Sequence, residues 1–264
     1  VNIKKLYFIP VFFLLSCSGN KKKVADITIS GHITGMPDTK LYLVDAKKWR
    51  TPVDSADCVN GHFVFHLPTD TSFSPWLAAI HIIQNGDAEH PQRFRFRNPF
   101  LGADSLVNLR DAFYLEKGET RIAGAYGASP WLRIDGGNEN ALYFKNQLTD
   151  IGWMGDADSL QRSKKLLRLS DTIRSNPWSF FLLQSMYESR VQYNKEELLD
   201  LLPLFNDRVR NSKPFQLFSQ YMASIPAAGE PYPALNLLAP DHSLQPLVDT
   251  GARINMLVFW ASWC

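Results

Sequence analysis

Between Ile27 and Ile134 the apolar positions come in short runs separated by turn residues, and within several runs they alternate with polar ones. Ile27 and Ile29 alternate ahead of Gly31, and Leu41–Val44 form a compact run. Phe63 and Phe65 alternate, Leu77–Ile83 is a longer run, and Phe94 and Phe96 alternate between Arg93, Arg95 and Arg97. A period of two marks a strand with one buried face, and several short strands at this spacing predict an antiparallel β-sandwich or barrel. Asn60–Gly61 predicts the tightest hairpin, because both central residues of a type I′ turn need positive φ. That turn sets Val59 opposite His62, Cys58 opposite Phe63 and Ala56 opposite Phe65. Cys58 then shares one face with Ala56, Phe63 and Phe65, which makes it a small buried hydrophobe rather than a redox partner. Phe113–Leu115, a turn at Glu116–Glu119 and Thr120–Ala123 predict a last hairpin.

After Gly136 and Gly137 the period changes to about 3.6. Leu166, Leu169 and Ile173 form one stripe, and Phe180, Leu183, Tyr187 and Val191 form a second. Leu198, Leu201, Leu202 and Phe205 form a third. Asn194 with Glu197 three residues on predicts a capping box, and Pro177 suits a first helical turn. Pro203 should end or kink its helix near Leu202. Gly229–Pro240, rich in proline and small residues, reads as a linker, and Ile254–Phe259 reads as a fully buried parallel strand.

The fold expected is therefore α+β. A tether at 18–25 precedes a β-rich domain at 26–135, a helical connector at 136–228, and a linker opening a new α/β unit at 229–264. With 264 residues, 45% apolar and 12% aromatic, the chain has ample material for a buried core. The formal charge is only +2, which argues against nucleic acid as a partner. Lys21, Lys22 and Lys23 read as a solvated tether.

His62 and His66 fall on one strand face, but four residues of strand separate them by about 13 Å, too far to share one ion. Arg93, Arg95 and Arg97 line one face of their strand, which reads as the wet side of a half-buried sheet or, failing that, an anion site. Neither pattern calls for a metal or an organic cofactor.

Three cysteines, Cys17, Cys58 and Cys264, lie too far apart for the disulfide framework of a small secreted domain. Ahead of Cys17, Lys4 and Lys5 lead into an apolar run from Leu6 to Leu15, about half the roughly 20 residues that span a bilayer. A charged start, a short apolar middle and a small residue before the cut describe an export signal over residues 1–17. Leu14-Leu15-Ser16-Cys17 resembles the lipobox of bacterial lipoproteins. The resemblance implies acylation of Cys17 and a membrane-anchored protein of the cell envelope, facing the periplasm or the cell exterior. Each buried methylene contributes about 0.8 kcal/mol, so several acyl chains would hold it durably.

Phe259–Cys264, FWASWC, resembles the opening of a TlpA/ResA-type thioredoxin domain, in which two more residues and a second cysteine follow. DSADCVNGHFVF and FYLEKGETRIAG resemble the β-rich domain at the front of many exported thioredoxin-like lipoproteins. The stretch around IRSNPWSFFLL is similar to the connector that follows it. The family implies a thiol–disulfide oxidoreductase in which Cys264 is the nucleophile and Trp263 its shielding neighbour. Its partners would be exported client proteins and a redox protein that recharges the dithiol.

A cysteine between a strand end and a helix start gains thiolate character from free backbone N–H groups. In the sequence as written, Cys264 has neither the helix nor the second cysteine, and a terminal carboxylate beside it raises its pKa. The expectation is a truncated or incomplete oxidoreductase, inactive as written. Peroxiredoxins share the fold, but their proline and threonine or serine positions are occupied here by Leu257 and Ala261. The alternative function is a membrane-anchored adaptor whose β-rich domain recognises a peptide or glycan.

Overall fold

The computed structural model describes residues 26–83, 87, 89–101, 109–127, 132–146, 154, 158–225, 236–249 and 251–256. The chain is mixed α and β: sheets occupy the N-terminal part, helices follow, and no barrel closes among the described residues. The strands are β1 Ile27–Thr34, β2 Thr39–Asp45, β3 Pro52–Cys58, β4 His62–Leu67, β5 Trp76–Ile82, β6 Gln92–Arg93, β7 Phe96–Arg97, β8 Leu109–Arg110, β9 Phe113–Leu115, β10 Gly118–Ala125 and β11 Leu132–Asp135. They form two sheets, β4-β1-β10-β11-β7-β8 and β3-β2-β5-β6, with β9 also paired to β5.

The alternation read from the sequence sets the inner faces. Ile27 and Ile29 of β1, Phe63 and Phe65 of β4 and Ile122 of β10 meet Leu41 and Leu43 of β2, Ala56 and Cys58 of β3 and Ile80 of β5 in one buried cluster. Phe96 of one sheet packs edge-on against Phe113 of the other, with ring centres 5.4 Å apart. Such pairs contribute about 0.5–1.5 kcal/mol beyond the area that they bury.

Strand partners depart from the expected hairpins. Asn60 and Gly61 do have positive φ, 52° and 77°, and Val59 and His62 exchange both backbone hydrogen bonds. Beyond that pair the strands part: β3 pairs with β2, and β4 pairs with β1. Cys58, Ala56, Phe63 and Phe65 therefore share the interior from opposite sheets, not a common ladder. Gly61 is needed twice over, since a Cβ there would also come within 2.2 Å of the Ile33 carbonyl oxygen.

The second expected hairpin opens in the same way. β9 joins β5, while β10 lies parallel to β1 and antiparallel to β11. The six-stranded sheet is thus mixed rather than antiparallel throughout. A long excursion through the other sheet separates β1 from β10, and parallel pairing needs that length. The arginine run is likewise split, with Arg93 in one sheet and Arg97 in the other.

The helices are α1 Asn138–Lys145, α2 Ser159–Ser175, α3 Phe180–Glu188, α4 Lys195–Leu201, α5 Asp207–Arg210 and α6 Lys213–Ser224. The capping box at Asn194 and Glu197 is present, and α4 ends at Leu201, its C-cap Leu202 opening a 3-10 turn over Leu202–Leu204 that holds Pro203. Leu169, Ile173, Leu183, Leu198, Leu201, Leu202 and Phe205 are buried as their stripes require. Val191 is not, because α3 ends at Glu188 and a tight turn over Arg190–Gln192 swings it into solvent. Pro177 precedes the helix rather than opening it, since Ser179 is the N-cap.

Of these helices, α1 and α3 pack on β9, where the Tyr114 ring lies between Tyr143 of α1 and Phe181 of α3. No described helix is long and apolar enough to cross a membrane. Past the helices, β12 Asn236–Leu238 and β13 Leu244–Pro246 form an exposed hairpin. Ile254 and Met256, expected to begin a buried strand, are exposed at 86% and 83%, and among the described residues no strand pairs with them.

Candidate functional site

Cys17, Trp263 and Cys264 lie outside the described residues, as do residues 1–25, the three lysines of the tether and most of the expected linker. The described thiol is Cys58, buried as expected. Burial pushes its pKa up, and the negative charge of Asp38 pushes the same way. Both effects oppose the thiolate, so Cys58 is a packing residue.

The histidines hold no shared ion site. His66 places its ring Nδ1 3.4 Å from the Thr28 hydroxyl, whereas His62 stacks on His32 directly across the β1–β4 ladder at 4.1 Å. Among the described residues no group of three or more His, Cys, Asp or Glu is placed to hold a metal. The arginines do not converge: Arg93 donates to Asp111, and Arg95 is exposed on the crossing between sheets. His81 is buried under Trp49, its Nε2 without a hydrogen-bond partner among the described residues. Burial, reinforced by Arg93, pushes its pKa down and keeps the ring neutral.

The chemistry that the sequence did not reveal lies in the seam between the second sheet and the helices. Glu116, in the turn after β9, accepts hydrogen bonds from the backbone N–H groups of Asn138, Glu139 and Asn140 at the start of α1. Its approach needs Gly137: a Cβ there would lie 2.0 Å from Glu116 Oε1. From the first turn of α1, Glu139 reaches on to the start of α3. It accepts from the backbone N–H groups of Phe180 and Phe181 and from the Ser179 hydroxyl at 2.7, 3.0 and 2.8 Å. Asn140 closes the joint by accepting from the Tyr114 N–H and donating to the Tyr114 carbonyl.

Each carboxylate therefore sits on a helix N-terminus, where free N–H groups and the helix dipole favour negative charge. Glu139 is only 3% exposed. Burial pushes its pKa up to about 7, and the charge on Glu116 adds to this against the pull of its three donors. Burial also raises the pKa of Glu116 against the same kind of donors. With every oxygen engaged, neither acid is free for acid–base work on a substrate. They are structural links from sheet to α1 to α3.

Residues 27–143 match the family model of a domain of unknown function, DUF4369. The DUF4369 match takes in β1 to β11 and runs on into α1, so Glu116, Glu139 and Asn140 all fall within it. The helix that receives Glu139, α3, lies beyond the DUF4369 match. Comparison with curated proteins and with solved structures gives no match.

Two cavities flank the joint on either side of Pro75. One of about 240 Å3 is lined by Glu116, Lys117, Glu139, Trp178 and Arg208. Its two acids are already committed to helix ends. The other, of about 280 Å3, is mostly apolar, walled by Trp76 of β5, Phe180, Leu183 and Tyr187 of α3 and Leu217 of α6. Trp76 and Leu217 were legible as apolar residues, but no local signal brings residues so distant in sequence to one cleft.

Proposed function

We propose that the protein is an exported, lipid-anchored thiol–disulfide oxidoreductase of thioredoxin-like type, with Cys264 as its attacking thiol. The observation that carries the reading is the FWASWC sequence at Phe259–Cys264. It is supported by a DUF4369 domain at the place where the β-rich domain of such lipoproteins is expected, and by the lipobox-like Leu14–Cys17. Cys17 would carry the acyl chains that hold the protein to the envelope membrane. In the cycle, the Cys264 thiolate attacks a client disulfide. One client sulfur leaves as a thiolate, and a second enzyme cysteine displaces the other, leaving the client reduced and the enzyme dithiol oxidised. A partner dithiol returns the electrons.

The test is insulin reduction by the protein made from its complete reading frame, beside its Cys264→Ser variant. Loss of turnover by about a hundredfold or more supports the reading, and equal turnover overturns it.

A second reading has its own support. The open apolar cavity beside the joint suits a membrane-anchored binding module. In it the β-rich domain and its helices recognise a peptide without redox chemistry.

A further inference from the structure

We infer that the cleft between β5 and helices α3 and α6 takes a bulky apolar side chain from an extended, acidic peptide segment. The inference rests on the binding reading and is independent of thiol chemistry. The cleft opens to solvent and holds about 280 Å3, just below the roughly 300–1,000 Å3 typical of ligand pockets. That is room for a side chain from a passing strand rather than for a folded domain.

Its chemistry selects the occupant. Trp76, Phe180, Leu183, Tyr187 and Leu217 make the walls, and Leu217 is left 48% exposed at the mouth. Of the uncharged polar residues on the wall, Ser74 and Gln184, the glutamine is already satisfied: its oxygen accepts from the Tyr114 hydroxyl and its amide donates to Glu188. An apolar guest therefore leaves the hydrogen bonds of Gln184 intact. The charged side chains on the lining are both lysines: Lys47, whose charge Glu188 already neutralises, and the exposed Lys213, which carries the preference for an acidic flank. Farther along the seam, the Arg208 guanidinium lies 5.5 Å from the Phe180 ring centre, while Glu116 and Glu139 face inward onto helix ends. A guest with an apolar centre and carboxylates at its flanks matches that arrangement in both respects.

Fluorescence anisotropy tests this with a labelled hexapeptide, Glu-Glu-Leu-Phe-Glu-Glu, against two controls. One replaces every Glu by Lys, and the other replaces Leu-Phe by Ala-Ala. The full chain should bind the first peptide at least about tenfold more tightly than either control. Leu217→Arg and Lys213→Glu, both at exposed positions, should each weaken that binding by about tenfold with unchanged circular dichroism. Equal binding by these variants places the peptide elsewhere, which overturns the cleft and keeps the binding reading. No binding of any probe overturns the cleft and the peptide-binding reading together, leaving the thiol reading untouched. A sedimentation shift to monomer in Leu217→Arg alone would show that a second copy fills the cleft, and would also overturn the inference.

Discussion

The helices and the sandwich carry equally plain hydrophobic patterns, yet they are stabilised on different scales of sequence. In the helical layer the decisive contacts lie within a few residues: Asn194 and Glu197 cap each other, Ser179 caps α3, and Pro203 stops α4. In the sandwich the decisive contacts are remote. β1 takes partners from β4 and β10, and Phe96 meets Phe113 across the interior. Local chemistry thus sets where most of these helices start and stop, with Glu116 and Glu139 adding remote caps to α1 and α3, whereas a strand's neighbours depend on how the whole chain crosses between sheets.

Substitutions can break or sharpen that contrast. The largest effect should come from Phe96→Ala, which removes a fully buried ring that ties the two sheets together. Urea unfolding should show a loss of about 3–5 kcal/mol. Glu139→Gln comes next, since an amide must present a donor to one of the N–H or hydroxyl groups now facing a carboxylate. The expected loss is about 2 kcal/mol at neutral pH.

The pH profile identifies Glu139 more specifically. Its carboxyl is raised in the folded protein to about 7, so the folded state holds its proton over a range where the unfolded chain, near 4.5, has lost it. Its contribution to stability is complete below about pH 4.5 and is lost as the pH rises through 7, by on the order of 3 kcal/mol. Glu139→Gln should flatten that limb of the unfolding free energy, and a slope unchanged from wild type would remove Glu139 as its source. Asn194→Ala should cost least, about 1 kcal/mol, because it breaks one local cap. Should it instead match Phe96→Ala, the division between local and remote stabilisation would fail.

The same division explains what could be read from the residues alone. Ile27, Ile29, Phe63 and Phe65 are buried where alternation put them, and Asn60–Gly61 turns as expected. The partners of those strands were misassigned because a turn reports only that the chain reverses, not that both arms stay in one sheet. Glu139 was invisible for a related reason. An acid in the first turn of a helix reads as a complement to its own dipole, and nothing nearby in sequence says that it points at the N–H groups of Phe180 and Phe181. Leu217 and Trp76, likewise, come from elements far apart in the chain.

The relay from Glu116 to α1, and from Glu139 to α3, bears on how the molecule could be dissected. The glycine pair at 136–137 marks a change of period, but hydrogen bonds run across it in both directions, from Asn138 to Glu116 and from Tyr114 to Asn140. Severing the chain there would strand Glu116 without its amides and bare the rings of Tyr114 and Tyr143 to water. An autonomous fragment of the sandwich would have to carry the polypeptide onward at least through Glu188, so that each carboxylate keeps the helix end on which it rests.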